Sequence, residues 1–147
     1  MAEISTDRSR LDVTLIHRFL CDESYWAAHI PLDLVRLSIE NSLCFGAYDG
    51  GAQVGFARVV TDYATFGYVA DVFVVPSHRG AGIGRDLMAA IVAHPALQRL
   101  RRWHLVTRDA QRLYEQFGFR RLGAPERHME IVVADPYGVD SVRDVQD

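Results

Sequence analysis

Val72-Phe73-Val74-Val75-Pro76-Ser77-His78-Arg79-Gly80-Ala81-Gly82-Ile83-Gly84-Arg85-Asp86-Leu87-Met88 decides how the rest of the chain is read. It is a β-branched apolar run, a Pro-Ser turn, a glycine loop led by Arg79, and the start of a helix. A strand that runs into glycines at a helix N-terminus is suited to hold phosphate. Backbone N–H groups point outward there, the helix dipole favours an anion, and glycine lets a bulky ligand approach the main chain. Spacing narrows the choice of phosphate. A Walker loop continues from its first glycine to a Lys-Ser/Thr pair, whereas from Gly80 the chain reaches Arg85 and Asp86. A dinucleotide fingerprint starting at Gly80 and Gly82 wants its third glycine where Arg85 stands. What remains is Arg79-x-x-Gly82-x-Gly84 behind a hydrophobic strand.

A second stretch, Asp109-Ala110-Gln111-Arg112-Leu113-Tyr114-Glu115-Gln116-Phe117-Gly118-Phe119, reads as a short helix. Asp109 is the expected cap, Gly118 the expected left-handed C-terminal residue, and a strand is expected to follow. The two stretches resemble the acetyl-CoA loop (R/Q-x-x-G-x-G/A) and the A-x-x-L-Y-x-x-x-G-F segment of the GNAT superfamily of N-acetyltransferases. They stand in that family's order and at its usual separation. The resemblance covers roughly residues 43–133, and the first forty fit only loosely. It implies an α/β (α+β) fold: a central mixed, mostly antiparallel sheet with a splayed parallel strand pair, flanked by about four helices.

Composition narrows the function. The 147 residues suit one domain, with residues 1–10 and 135–147 expected to be poorly ordered. No apolar run is long enough to cross a membrane and no apolar signal region opens the chain, so no membrane partner and a cytoplasmic location are expected. Cys21 and Cys44 lack metal spacing and are expected to be reduced thiols, and the histidines show no paired ligand spacing, so no metal is expected. All sixteen basic residues are arginine. Residues 1–77 sum to −5, residues 78–127 to +6 and residues 128–147 to −4. A basic half that carries the phosphate loop suits a polyanion such as coenzyme A, while the net acidity argues against nucleic acid.

The element pattern agrees with a sheet protein. Leu11–Thr14 reads as a short edge strand, Leu15–Asp22 as a helix, and a second helix capped by Asp33 runs to about Asn41. Leu43–Tyr48 and Gln53–Val60 read as a hairpin around Asp49-Gly50-Gly51. Tyr68–Val75 is the strand before the loop, and Gly82–Ala93 the helix after it. Trp103–Val106 is a strand parallel to Tyr68–Val75, because a helix lies between them. Phe119–Leu122 and Met129–Val133 are expected to complete the sheet.

The resemblance also assigns roles. Arg79, Gly80, Ala81, Gly82, Ile83, Gly84 and Arg85 would wrap the pyrophosphate of acetyl-CoA. Val72, Phe73 and Val74 would offer a strand edge to pantetheine, with the Val74 N–H polarising the thioester carbonyl. Thr107 stands where many members have an asparagine that bonds the cofactor, so it is a cofactor contact of shorter reach. Tyr114 matches the tyrosine that protonates the departing thiolate; a phenol near ~10 can donate to a thiolate whose acid is near ~8.5. Asp71 interrupts an apolar strand, and two readings stay open: the base that takes the amine's proton, or a structural carboxylate. Asp62 is a second carboxylate candidate, and Tyr68 occupies the place of the glutamate base of the histone-acetylating branch. Trp26, His29 and Tyr63, with Tyr25, Ile30 and Phe66, fall on the acceptor side, as cage or as core. The acidic N-terminal half favours a primary amine acceptor, a small amine or a peptide amine. A homodimer is the expected assembly. The competing reading is a non-catalytic acyl-CoA-binding sensor of the same fold.

Overall fold

The structure is a computed structural model that describes residues 2–138. Apolar residues buried on both faces make the middle of the chain a sheet. β2 (Leu43–Asp49) and β3 (Ala52–Thr61) form a hairpin whose turn is set by Gly50 at φ +63°. β4 (Phe66–Val74) returns antiparallel to β3. Side chains alternate along these strands. Phe45, Ala47, Ala57 and Val59 meet α3 (Ile83–Ala93) on one face, while Cys44, Phe56 and Phe73 meet α1 (Val13–Arg18) and α2 (Leu32–Glu40) on the other. On α3, Ile83, Leu87 and Ile91 fall on one stripe and are buried, as are Val35 and Ile39 on α2.

After α3 the chain enters β5 (Arg102–His104), parallel to β4, and then α4 (Gln111–Glu115). Among the described residues the sheet order is β1-β2-β3-β4-β5, with β1 spanning Glu3–Ser5. No described helix is long and apolar enough to cross a membrane.

Several local expectations give way to long-range packing. The N-terminus is not frayed: β1 pairs with β2 from Glu3↔Tyr48 to Ser5↔Gly46, and Arg10 bonds Glu3 at 3.0 Å. Leu11–Thr14 is not a strand. The Asp12 carboxylate accepts the Leu15 N–H at 3.0 Å and starts α1 at Val13, and the chain then relaxes into a π-helical turn at Phe19–Glu23. Pro31, not Asp33, is the N-cap of α2, and Asp33 lies in its first turn. Asp109 does not cap α4; Thr107 Oγ1 accepts the Ala110 N–H at 3.1 Å instead. Among the described residues Phe119–Leu122 and Met129–Val133 form no strand. The expectation for the tail beyond Gly138 lies outside the described residues.

Candidate active site

β4 and β5 pair only where Phe66, Gly67 and Tyr68 meet Arg102, Trp103 and His104. Beyond Tyr68 the strands part, and β4 runs on to Val74 while β5 has ended. The result is a V with one long arm.

The β4 arm is bent by an extra residue. Phe56 pairs with Phe73 and Arg58 with Ala70, so Asp71 and Val72 together oppose Ala57. Asp71 takes φ +55°, a left-handed conformation that Asp tolerates better than most side chains. Its carboxylate is fully engaged: Trp26 Nε1 donates to Oδ1 at 2.8 Å, and Arg58 Nε donates to Oδ2 at 2.8 Å. Both ends of the ion pair are largely buried, at 17% and 9% side-chain exposure. Arg58 also reaches Ser42 Oγ at 3.0 Å. Further along, the Val75 N–H bonds the Val54 carbonyl on β3. Strand alternation therefore turns the Val74 N–H to the other side, into the V. Phe73 is anchored by a parallel stack on Phe19, with centroids 4.0 Å apart.

The glycine loop closes the far end of this arm. Arg79 Nε bonds back to the Val74 carbonyl at 3.1 Å. His78 joins Ser77 Oγ at 2.8 Å and Asp49 at 2.9 Å, fastening the loop to the β2–β3 hairpin. Gly80 and Gly82 stand at φ +83° and +84°, and a Cβ at either would meet nothing within 4 Å. These glycines answer to backbone conformation rather than to space. Gly82 is the N-cap of α3 and supplies no side chain, which leaves the first-turn N–H groups to an incoming anion. Gly84 faces Leu113 and sets the approach of α3 to α4.

The other arm carries side chains. Tyr114 sits on α4, half-buried, with its ring edge-on to Phe119. Its acidity is weakened: burial, then the neighbouring Tyr25 and Asp109, push its pKa up to about 12. Tyr25 and Trp26 are adjacent in the α1–α2 connector and pack edge to face, 5.0 Å apart. Trp26 holds Asp71 on the β4 arm. Tyr25 accepts the Arg108 N–H at 3.0 Å on the β5 side, and the Arg108 guanidinium lies 3.8 Å over its ring.

Contacts link these residues across the V: Trp26 bonds Asp71 beside Val72–Val74, Gly84 of the 79–85 loop faces Leu113 next to Tyr114, and Tyr25 bonds the Arg108 N–H next to Thr107. Two residues of the acceptor set lie in the connecting segments, Tyr63 between β3 and β4 and His29 between α1 and α2. Tyr63 lies in the β3–β4 turn, and the strand from Phe66 to Asp71 alone spans about 17 Å. His29 is exposed, and its N–H bonds the Cys21 carbonyl. Asp62 caps that same turn through Ala64, Thr65 and Phe66, bonds that hold its carboxyl far below the usual carboxylate range. Arg58 and Arg108 escaped the sequence reading. Arg58 had a signal, as a lone charge inside the apolar β3 run; Arg108 had none.

Comparison with known proteins follows the same lines. A family model described as an acetyltransferase (GNAT) domain matches residues 40–121. A crystal structure from Xanthomonas campestris pv. campestris, described as belonging to the GNAT family, is 51% identical, covers 93% of this chain and 96% of its own, and superposes with a TM-score of 0.91. A Gibberella zeae protein provisionally named an acetyltransferase is 34% identical over an alignment of 133 residues, with 76% of this chain and 74% of its own covered. A Clostridium acetobutylicum protein described as a predicted acetyltransferase with acetyl-CoA shares the fold at TM-score 0.65 and 18% identity, covering 90% and 96% of the two chains.

Proposed function

The chain belongs to the GNAT acetyltransferase family and is an acyltransferase, and on that premise we propose that it binds acetyl-CoA in the V between β4 and β5 and passes the acetyl group to a primary amine. The observation that carries the reading is the V itself. Main-chain donors line one arm and a half-buried phenol stands on the other.

The residues divide the work. The open N–H groups from Gly80 to Arg85 and the positive end of α3 suit a pyrophosphate. The free edge of Val72–Val74 suits the amide chain of pantetheine, and the Val74 N–H is aimed where a carbonyl oxygen gains negative charge during attack. Thr107 already spends its hydroxyl on the start of α4, so it shapes the β5 side rather than reaching far toward a ligand. Tyr114 supplies the proton to the departing thiolate. In water a donor near ~12 facing a thiolate whose acid is near ~8.5 is uphill, but burial that raises the phenol raises the thiol as well. The phenol stays protonated throughout the neutral range and therefore acts as an acid.

Asp71 is assigned a positioning role. Both of its oxygens are taken by Trp26 and Arg58, and it holds the left-handed bend that precedes Val72. The amine's proton goes to solvent at the mouth. The acceptor enters on the Tyr25–Trp26 side, and the excess of acids over arginines in residues 1–77 favours a cationic amine there.

Calorimetry with acetyl-CoA, followed by thiol release with a panel of amines, tests the reading. Binding with turnover of cationic primary amines is expected. Binding without turnover would favour the sensor alternative, turnover only with anionic or neutral acceptors would remove the amine assignment, and no binding would remove the site.

A further inference from the structure

Tyr68 and His104 are the last residues that pair before β4 and β5 part, so they stand at the vertex of the V. Strand alternation fixes their side. Val69 and Trp103, their neighbours in sequence, pack in the cluster under α3. Tyr68 and His104 therefore project from the opposite face of the sheet. That face carries α1, α2 and the Tyr25–Trp26 connector, where the acceptor enters.

Stacking holds the half-buried His104 ring. Phe66 and Tyr68 on β4 lie 6.3 and 5.8 Å from it, each tilted by 28°, and His128 lies 6.1 Å away at 19°. Among the described residues neither ring nitrogen of His104 takes part in a hydrogen bond or an ion pair, so both stay available. The titratable and charged groups around the ring are Tyr68 from β4, Arg102 from its own strand and His128 from the chain after Pro125–Arg127. The Asp71–Arg58 pair lies beyond, acting on Tyr68. No carboxylate faces the imidazole to hold a proton on it. Burial, then His128 and Arg102, keep its pKa below the ordinary 6.5, so at neutral pH it carries a lone pair.

The other groups in reach of the amine are already committed. Both Asp71 oxygens are taken by Trp26 and Arg58, and the Asp62 carboxyl caps the β3–β4 turn. Burial, then Asp71, push the Tyr68 phenol up, so it stays protonated, and Tyr114 serves as the acid. His128 stacks on His104 and not on the β4 rings.

We propose that His104 is a further catalytic residue, the base that takes the proton from the acceptor amine at the vertex of the V. The inference rests on acetyl transfer to an amine in the V and gives the amine's proton its route to solvent. The ammonium hands one proton to the imidazole and becomes a neutral nucleophile. Its lone pair forms the C–N bond while the C–S bond breaks. Tyr114 protonates the departing sulfur, and the surplus proton on the new amide nitrogen restores the phenol. The imidazolium then returns its proton to solvent, so each turnover releases one proton. The desolvation that keeps the imidazole neutral also favours the neutral amine, which eases the first step.

The dependence of kcat on pH, at saturating acetyl-CoA and saturating cationic primary amine, tests it. Wild type is expected to lose rate below about pH 6.5, as the imidazole takes a proton from solvent. His104→Gln should lower kcat at neutral pH by about a hundredfold or more, abolish that acid limb and leave acetyl-CoA affinity by calorimetry unchanged. His104→Ala should regain rate with added imidazole, which a ring needed only for packing would not allow. The wild-type profile needs no variant, so the test holds even if a substitution unfolds the chain. A wild type with no acid limb, a His104→Gln rate within about threefold of wild type, or a His104→Ala loss that imidazole does not restore would each overturn the proposal and leave acetyl transfer standing. A wild type that binds no acetyl-CoA would remove the V as the site, and this inference with it.

Discussion

The two arms of the V are built on opposite principles. The β4 arm is a nine-residue strand packed into apolar clusters on both faces of the sheet, with Phe73 stacked on Phe19 and Asp71 locked between Arg58 and Trp26. The β5 arm is three residues of strand, then irregular chain with Val106 at 73% exposure, then a five-residue helix without a fully buried residue. In the proposed function the first would offer the ligand its main chain, which is useful only if the strand is rigid. The second offers a side chain, whose position depends on what leans against it: α3, Phe119 and the Tyr25 connector. Damage to the β4 arm should therefore register as lost stability or affinity, and damage to the β5 arm as lost rate.

The sharpest way to break that contrast is Tyr114→Phe. Loss of the general acid should lower kcat by roughly a hundred- to ten-thousand-fold, with acetyl-CoA affinity by calorimetry nearly unchanged. An equal loss of affinity would make the phenol a packing group. The pH dependence carries a sign of its own. The folded pKa lies near 12, above the ordinary value of 10. The unfolded chain thus releases this proton first, and the Tyr114 contribution to stability erodes as pH rises from about 10 toward 12. No alkaline fall in rate near pH 10 should trace to Tyr114.

Next in size is Asp71. Asp71→Ala leaves Arg58 buried without its partner and should cost about 3 kcal/mol in urea unfolding. Asp71→Asn keeps an acceptor for Trp26 and tolerates φ +55°, so it should cost about half as much. If Asp71 were the base instead, Asp71→Asn would lower kcat at least about a hundredfold in protein that is still folded, a loss its stability cost does not explain. The smallest effect is expected at Gly82→Ala. The added methyl meets nothing, so the penalty is the left-handed backbone alone, about 1 kcal/mol. It should appear as a fall in Tm of roughly 2–4 °C, with acetyl-CoA affinity by calorimetry little changed.

Legibility in the sequence followed the same division. The β4 arm, its glycine loop and α3 could be read directly, because apolar runs, positive-φ glycines and helix stripes are local signals. The hairpin at Gly50 was legible for the same reason, and so was the left-handed turn at Gly118, φ +94°, although α4 itself stops earlier, at Glu115. β1 was not, since Glu3–Ser5 has no strand signal of its own and exists through its register with Tyr48, Ala47 and Gly46. Asp12 was overlooked as a cap, which turned Val13 from strand to helix. Residues 129–133 were read as a strand on propensity alone, and the structure forms none there, because a strand needs a neighbour that propensity does not supply. Asp71 stood out as a charge in an apolar run, yet only coordinates pair it with Arg58 and Trp26.

Tyr25 and Trp26 are consecutive residues, each fastened to a different side of the same fissure. A dipeptide has a fixed stride, so the connector acts as a gauge on how wide the fissure stands. If the acyl donor occupies that fissure as proposed, a longer acyl chain would have to fit beneath the clasp or break one of its two bonds. Chain-length preference would then be written outside the sheet, in a loop that touches neither the sulfur nor the phosphates.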